Sequence, residues 1–321
     1  MTNLKSVLTG LSLVAAIAAS SHSQSESPKW TKLDFPVGDH ISGIHFIHSD
    51  TGFAVTSNGV LARTFDGGRT WQARNVAPGI PLDDLYFINS LTGFVCGRSG
   101  TLLRTIDGGY NWINESYADT AVWLLDIELI DSKIGLVLGA TRVDSSKLGG
   151  LLLRTEDGGD TWKRQIVGGL GFSEIVNIPG GPVHFLGFGM LFTSVDSGKS
   201  WDSRPTLDGA PSRCFSIKGS TGIMGGPSGG CAYSRDGGRT WIMAPQPETE
   251  FYVACQMITD RVGYMGGFDG KLRRTDNGGS LWNEEALPVV FDIFDMQLVG
   301  TKLYIAGSNG TIIVGDMGPG K

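Results

Sequence analysis

The feature that most constrains this chain is a nine-residue stretch that keeps returning, Arg63-Thr64-Phe65-Asp66-Gly67-Gly68-Arg69-Thr70-Trp71. It recurs as Arg104 to Trp112 and as Arg154 to Trp162, and more loosely as Asp196 to Trp201 and Asp236 to Trp241. A sixth copy, Asn277 to Trp282, keeps the glycine pair and the tryptophan but has lost the Asp and the hydroxyl before the Trp. The tryptophans at 71, 112, 162, 201, 241 and 282 are separated by 41, 50, 39, 40 and 41 residues. One step upstream of Trp71 lies Trp30, and one step downstream of Trp282 falls just past the C-terminus. The sequence therefore holds seven periods, cut so that the N-terminal piece completes the last.

Each period has the same interior. In the first, Ile44 to Ile47 alternates in polarity, His48 to Gly52 turns, and Phe53 to Thr56 is a second strand. Ser57-Asn58-Gly59 turns again, Val60 to Thr64 is a third strand, and the repeated box turns into a fourth strand from Trp71 to Asn75. Four short antiparallel strands in about forty residues make a propeller blade. Such a sheet cannot bury both faces alone, whereas blades stacked in a ring can. In the seventh period Phe291 to Met296, Leu303 to Ala306 and Thr311 to Val314 supply three strands, and Trp30 to Phe35 adds the fourth. The expected fold is all-β: one seven-bladed β-propeller over residues 24–321, closed by pairing of the chain ends.

The box has a structural account. An Asp carboxylate accepts hydrogen bonds from backbone amides two or three residues on, and the glycines permit positive φ. The Trp buries its ring between blades while its N–H finds an acceptor. One carboxylate repeated in separate hairpins suits a fold staple better than a single active site, so Asp66, Asp107, Asp157, Asp196, Asp236 and Asn277 are read as structural. Cys96, Cys214, Cys231 and Cys255 all align with apolar blade positions: Cys214 and Cys255 with Ile44 and Leu85, Cys96 with Val55, Cys231 with Leu61. Buried free thiols follow, with a Cys214–Cys255 bridge as the alternative.

A formal charge of −6 and a pI of 5.4 argue against a nucleic-acid partner held by a basic face. Lys5, the apolar run from Val7 to Ala19 and the small residues after it read as an export signal over residues 1–23, with a retained anchor as the alternative. No later stretch is long and apolar enough to span a bilayer, and the mature protein is expected to be a secreted or periplasmic monomer.

By strand order, the boxes share one face of the disc. The beginnings of the first strands and the turns between second and third strands share the other. On that second face the repeats diverge, most of all at the insertion from Ala140 to Gly149. Variable loops on a rigid scaffold are where function is usually carried. Near the axis the residue before the core position is Asp84, Asp126, Glu174 and then Arg213, with Asp83, Glu250 and Asp292 close by. Arg98 and Asp269 occupy short turns, and Arg142 lies in the insertion. These residues describe a polar, mostly acidic mouth that binds a ligand or peptide; the competing account is that channel positions are wet and polar in any propeller. No catalytic residue, metal ligand or cofactor is assigned.

The box is the Asp box, or bacterial neuraminidase repeat. Run around seven blades with Gly52, Gly59 and Arg63 to Trp71, then Gly93, Gly100 and Arg104 to Trp112, it resembles the photosystem II stability/assembly factor-like family of Asp-box propellers. That resemblance implies a propeller, export, and non-catalytic binding of a protein or peptide partner. The rival is a sialidase or other Asp-box glycoside hydrolase, acting on a glycan. Arg98, Arg142, Arg213 and a Tyr252–Glu250 pair supply the residue types for a sialidase. Against it, no Arg-Ile-Pro motif precedes the first box, and seven periods do not match a six-bladed sialidase ring.

Overall fold

The computed structural model describes residues 27–117, 121–142, 148–167, 174–187, 189–206, 212–245 and 250–318. The expected export signal and the tip of the insertion, residues 143–147, lie outside them. Among the described residues, seven four-stranded antiparallel sheets form the seven blades. Their inner strands are Ile41–Phe46, Leu82–Phe87, Trp123–Leu129, Ile175–Asn177, Cys214–Lys218, Tyr252–Met257 and Ile293–Val299. The ring closes as the sequence predicts. Trp30–Leu33 pairs antiparallel with Thr311–Asp316, Trp30 opposite Gly315 and Leu33 opposite Ile312. Gly315 leaves room for the indole, since a Cβ there would lie 2.7 Å from the Trp30 ring.

Blades are joined at three radii. In the middle, apolar side chains from successive blades fill shared clusters, and each cluster takes one tryptophan. Trp71 packs with Phe46, Ile44 and Tyr304 between blades seven and one, and Trp112 with Phe53 and Phe87 between blades one and two. Trp30 takes the corresponding place between blades six and seven, beside Tyr264 and Leu303. It is the seventh member of the set, and its N–H donates to Glu285 at 3.2 Å.

At the outer radius the Arg of one box reaches the box of the next blade. Arg63 Nη1 donates to the Gly108 carbonyl at 3.3 Å, Arg154 Nε to Ser197 at 2.9 Å, and Arg235 Nη1 to Gly278 at 2.7 Å. The Arg63 guanidinium also lies 3.6 Å from the centroid of the Tyr110 ring, a cation–π contact. At the inner radius, carboxylates of one blade accept backbone N–H groups of the next. They line the channel and are described with the site below.

Inside each box the bonding is local. The Thr64 hydroxyl donates to Asp66 Oδ1 at 2.8 Å and accepts the Gly68 N–H at 2.9 Å. Asp66 then accepts the Thr70 N–H at 2.8 Å and the Thr70 hydroxyl at 2.6 Å. The amide four residues on is served as well as the one three residues on, which Asp196 shows by accepting the Lys199 N–H at 3.0 Å and the Ser200 N–H at 2.9 Å; Gly67 and Gly68, at φ +73° and +86°, supply the extra curl. Asn277 does the same work without charge, accepting the Leu281 N–H at 3.0 Å. Trp71 and Trp282 donate their indole N–H to the Gly68 and Gly279 carbonyls at 3.0 and 2.9 Å. For Trp112, Trp201 and Trp241 that N–H meets no acceptor among the described residues, contrary to expectation.

All four cysteines are buried and free. One alignment shifts. Cys214 pairs across with Gly225 as Asp84 pairs with Cys96, so it stands at the register of Asp84 and not of Leu85. The cause is a tighter first hairpin in blade five, where Lys218 already pairs with Thr221.

The turn between second and third strands is pinned under the start of the next blade. Gly59, at φ +81°, would place a Cβ 1.7 Å from the Ala77 carbonyl oxygen, and its own carbonyl accepts the Ala77 N–H at 3.1 Å. Gly59→Ala is therefore expected to lower stability by about 2–3 kcal/mol, through strained φ and the displaced loop. In the boxes, Asp66→Asn should lower the thermal midpoint less than Asp66→Ala, since Asn277 shows that an amide oxygen holds the turn. Thermal or urea unfolding of the three variants checks both statements.

Candidate functional site

The inner strands carry a half-buried polar row that faces the axis. Each has one side pressed into the blade interface, as Leu82, Leu85 and Phe87 are, and the alternate side turned to the channel. Asp84, Asp126, Glu174 and Arg213, all marked by sequence, line one cavity of about 120 Å³ at the axis, together with Asp295 and Phe294.

Four of these carboxylates are tied to the next blade. Asp84 accepts the Ile127 N–H at 2.9 Å, Asp126 the Ile175 N–H at 2.6 Å, Glu174 the Phe215 N–H at 3.1 Å, and Asp295 the Ile44 N–H at 2.7 Å. Ile127, Ile175, Phe215 and Ile44 occupy the same register, so one bond recurs around the ring. Blade one has Gly43 at the register of Asp84; a Cβ there would come within 3.0 Å of Asp84 Oδ1, and the missing side chain leaves space for its neighbour's carboxylate. The same positions that a mouth would use for a ligand thus also hold the blades together.

Crowding acids in a protein-walled channel shifts their protonation. Burial pushes the Asp84, Asp126, Glu128 and Glu174 carboxyls well above the usual range, and neighbouring carboxylates push them in the same direction. After burial, the Asp126 charge adds most to the rise at Asp84, and the Glu174 charge adds most to that at Asp126. Burial raises Asp295 to about 6 against the opposing bonds from Ile44 and Met296. No cluster of three or more His, Cys, Asp or Glu among the described residues has the geometry to hold a metal ion.

The remaining sequence-marked residues sit around this cavity or apart from it. Arg98 Nε donates to Asp83 at 3.0 Å, and its guanidinium lies 5.0 Å from the Trp123 ring. Burial still lifts Asp83 to about 6, with Arg98 pulling the other way. Arg142 ends the second strand of blade three, opposite Leu148, at the base of the insertion. Asp292 accepts the Asp269 N–H at 3.0 Å at the rim of blades six and seven. Glu250 lies in a group of its own. Only 5% exposed, it accepts Arg273 Nε at 3.0 Å, Lys271 Nζ at 3.3 Å and the hydroxyl of Tyr252. Burial alone would raise this carboxyl, but the bonds from Arg273 and Tyr252 hold it at about 2.

Two classes of residue escaped the sequence. Asp295 shares the register of Asp84, yet blade seven has a short first hairpin and begins its second strand at Lys302 with no glycine marker, so counting along the repeat misplaces it. The same shortening in blade five put Arg213 in the row of carboxylates, where Cys214 stands. The aromatic rim was also missed. Phe251 and Phe268 rings lie 5.2 Å apart, Phe268 and Phe294 6.0 Å, and Phe294 and His40 5.8 Å, across blades six, seven and one. A turn Phe carries no periodic signal that distinguishes it from an ordinary loop residue.

The channel carboxyls give a testable pH response. Unfolded, Asp295 ionises near 3.8, whereas folded it keeps its proton to about 6. The folded state binds more protons in that window, so its contribution to stability is full below about pH 4 and is lost as pH rises towards 6. Asp295→Asn removes this loss. The midpoint difference between variant and wild type should grow in the variant's favour from pH 4 to pH 6 and then level off; thermal melts in a pH series measure it.

The sequence pattern described as "Photosynthesis system II assembly factor YCF48" matches residues 22–116. No curated protein sequence matches the chain. Among solved structures, "YCF48 bound to D1 peptide" superposes with a TM-score of 0.75 at 19% identity, covering 91% of this chain and 98% of the other. YCF48 from Cyanidioschyzon merolae gives 0.72 at 16% identity, covering 89% and 98%. Virginiamycin B lyase from Staphylococcus aureus gives 0.74 at 10% identity, covering 90% and 99%. The presence of a lyase beside a binding protein shows that the ring does not choose the activity. The chain is thus a seven-bladed Asp-box β-propeller whose N-terminal third is similar to the photosystem II assembly-factor repeat.

Proposed function

We propose that this protein is an exported, non-catalytic propeller that holds a protein or peptide partner on the face around the channel mouth. The observation that carries this reading is the contrast between the two faces. The box face repeats a turn whose polar groups bond to themselves and to the next box. The mouth face changes from blade to blade and sets exposed aromatic rings, Trp123 at 40% and Phe268 at 43%, beside charged side chains that differ between blades; the box face also exposes apolar side chains, Phe65 and Ile106 among them, but on the same repeated turn. Exposed aromatics beside charged side chains are typical anchors of protein recognition. The solved YCF48 that holds a D1 peptide supports the reading by likeness of fold, and the partner of this chain is not inferred from it.

The rival, a sialidase-like or other glycoside hydrolase, draws on the Glu250–Tyr252–Arg273 group. A nucleophilic Tyr has to reach the sugar carbon, and Tyr252 is 2% exposed with its hydroxyl donated to Glu250. The observations favour binding.

Affinity capture from an envelope extract of the producing cell tests the proposal. A partner retained by wild type and by the box variant Asp66→Asn, but lost with Arg98→Ala plus Trp123→Ala, is the expected result. A partner lost only with the box variant would overturn the face assignment. A glycan panel assayed with wild type and Tyr252→Phe tests the rival, which requires turnover that the variant abolishes. Export is checked by cell fractionation, with an N-terminus near residue 24 in the exported fraction.

A further inference from the structure

Blades six, seven and one carry an aromatic rim at the channel mouth. Phe251, Phe268 and Phe294 meet edge-to-face, with interplanar angles of 74° and 70°, and His40 extends the row from blade one at 90° to Phe294. Phe268 sits at the tip of a tight turn whose next residue, Asp269, is held at φ +66°, and the turn is buttressed by the Asp269 N–H bond to Asp292. Val290, 79% exposed, lies against the same turn at Gly270. Phe294 also lines the axial cavity, so the rim runs down into the channel.

The charged side chains of the turn itself, Asp269 and Asp292, are acidic, while Arg213 lines the axial cavity together with Phe294. Asp269, Asp292 and Asp295 take part in no ion pair among the described residues. The cations of blade six that come near the mouth, Lys271 and Arg273, are committed to Glu250. Asp84, Asp126 and Glu174 line the cavity beyond Phe294, but burial favours their protonated forms, so the attraction comes from the carboxylates of the rim. An aromatic face attracts a cation through its quadrupole, and carboxylates beside it add to that attraction. The same surroundings repel an acidic segment and give a purely apolar one no partner for the exposed carboxylates.

We infer that this rim is a docking site for a peptide segment that presents an arginine or lysine side chain. The cation lies against Phe268 and Phe294 and is directed towards Asp292 and Asp295, while neighbouring apolar atoms of the segment cover Val290 and Phe251. The inference rests on the peptide-binding reading above and narrows its ligand to a basic one. It also gives the half-exposed Phe268 a role, since a ring at a turn tip contributes nothing to the blade core.

The test uses immobilised decapeptides of Gly, Ala and Ser with one fixed central residue: Arg, Lys, its neutral isostere citrulline in place of Arg, Leu or Glu. Binding of the mature chain is measured by surface plasmon resonance, with wild type, Phe268→Ala and Asp292→Asn. Phe268 is at the surface, so a thermal melt close to wild type establishes that its variant is folded. The expected result is that Arg and Lys peptides bind at least fivefold tighter than the citrulline, Leu and Glu peptides, and that either substitution removes this preference. Raising the salt should weaken the Arg peptide more than the Leu peptide. Equal or better binding of the Leu or Glu peptide, or an Arg preference that persists in Phe268→Ala, overturns the basic-ligand inference and leaves peptide binding standing. Failure of every peptide to bind counts against both.

Discussion

Everything in this protein depends on the surface between neighbouring blades. A four-stranded sheet with apolar side chains on both sides has no stable existence in water, and it becomes stable only when each side is covered by another sheet. The chain covers all fourteen sides (two for each of the seven sheets) by closing the ring, and it joins the blades by three kinds of link, one at each radius. The apolar cluster with its tryptophan supplies the area, the box arginine ties the rim, and the channel carboxylate ties the axis. Such links are local in space and periodic in sequence, which is why the repeat is so visible. The Trp30 strand shows the dependence most directly: without its pairing to Thr311–Asp316, the clusters on both sides of blade seven would lie open.

This closure shapes the channel. Carboxylates at the axis are well placed to accept an N–H from the next blade, but they share a narrow space and are poorly reached by water. Burial and mutual repulsion then favour the protonated forms, against the hydrogen bonds that favour the ionised ones. The outer ring of box carboxylates is the opposite case. Asp157 and Asp236 are exposed and Asp66 is half-buried at the surface; each is hydrogen-bonded by the Thr hydroxyl and amide that follow it, which lowers each to about 2. One fold therefore holds two sets of acids with opposed responses to pH. Their residue types are the same, and only their radius differs.

The repeat count, the ring closure and the structural nature of the box were legible from spacing, because the Trp period survives insertions and the lost Asp of the sixth box. The channel row was legible in part. Asp84, Asp126 and Glu174 were found because the repeat length around them is regular, and Asp295 was missed because its hairpin is shorter by one residue. In a strand, an error of one residue turns a side chain to the other face. That is how Arg213 came to stand where Cys214 belongs. The Glu250 group could be guessed as a pair with Tyr252, but not as a buried ion-paired cluster, since Lys271 and Arg273 come from a strand on the far side of a turn.

The sequence by itself determined the architecture: seven blades, four strands in each, the join at Trp30 and the segregation of boxes to one face. Periodicity and turn chemistry suffice for these, since each repeats a local rule. Tertiary structure decided what the axial carboxylates bond to, which residues share the cavity, and that Phe251, Phe268, Phe294 and His40 form one rim from three blades. Those relations join positions more than two hundred residues apart, as His40 and Phe294 are, and only closure of the ring brings such positions together.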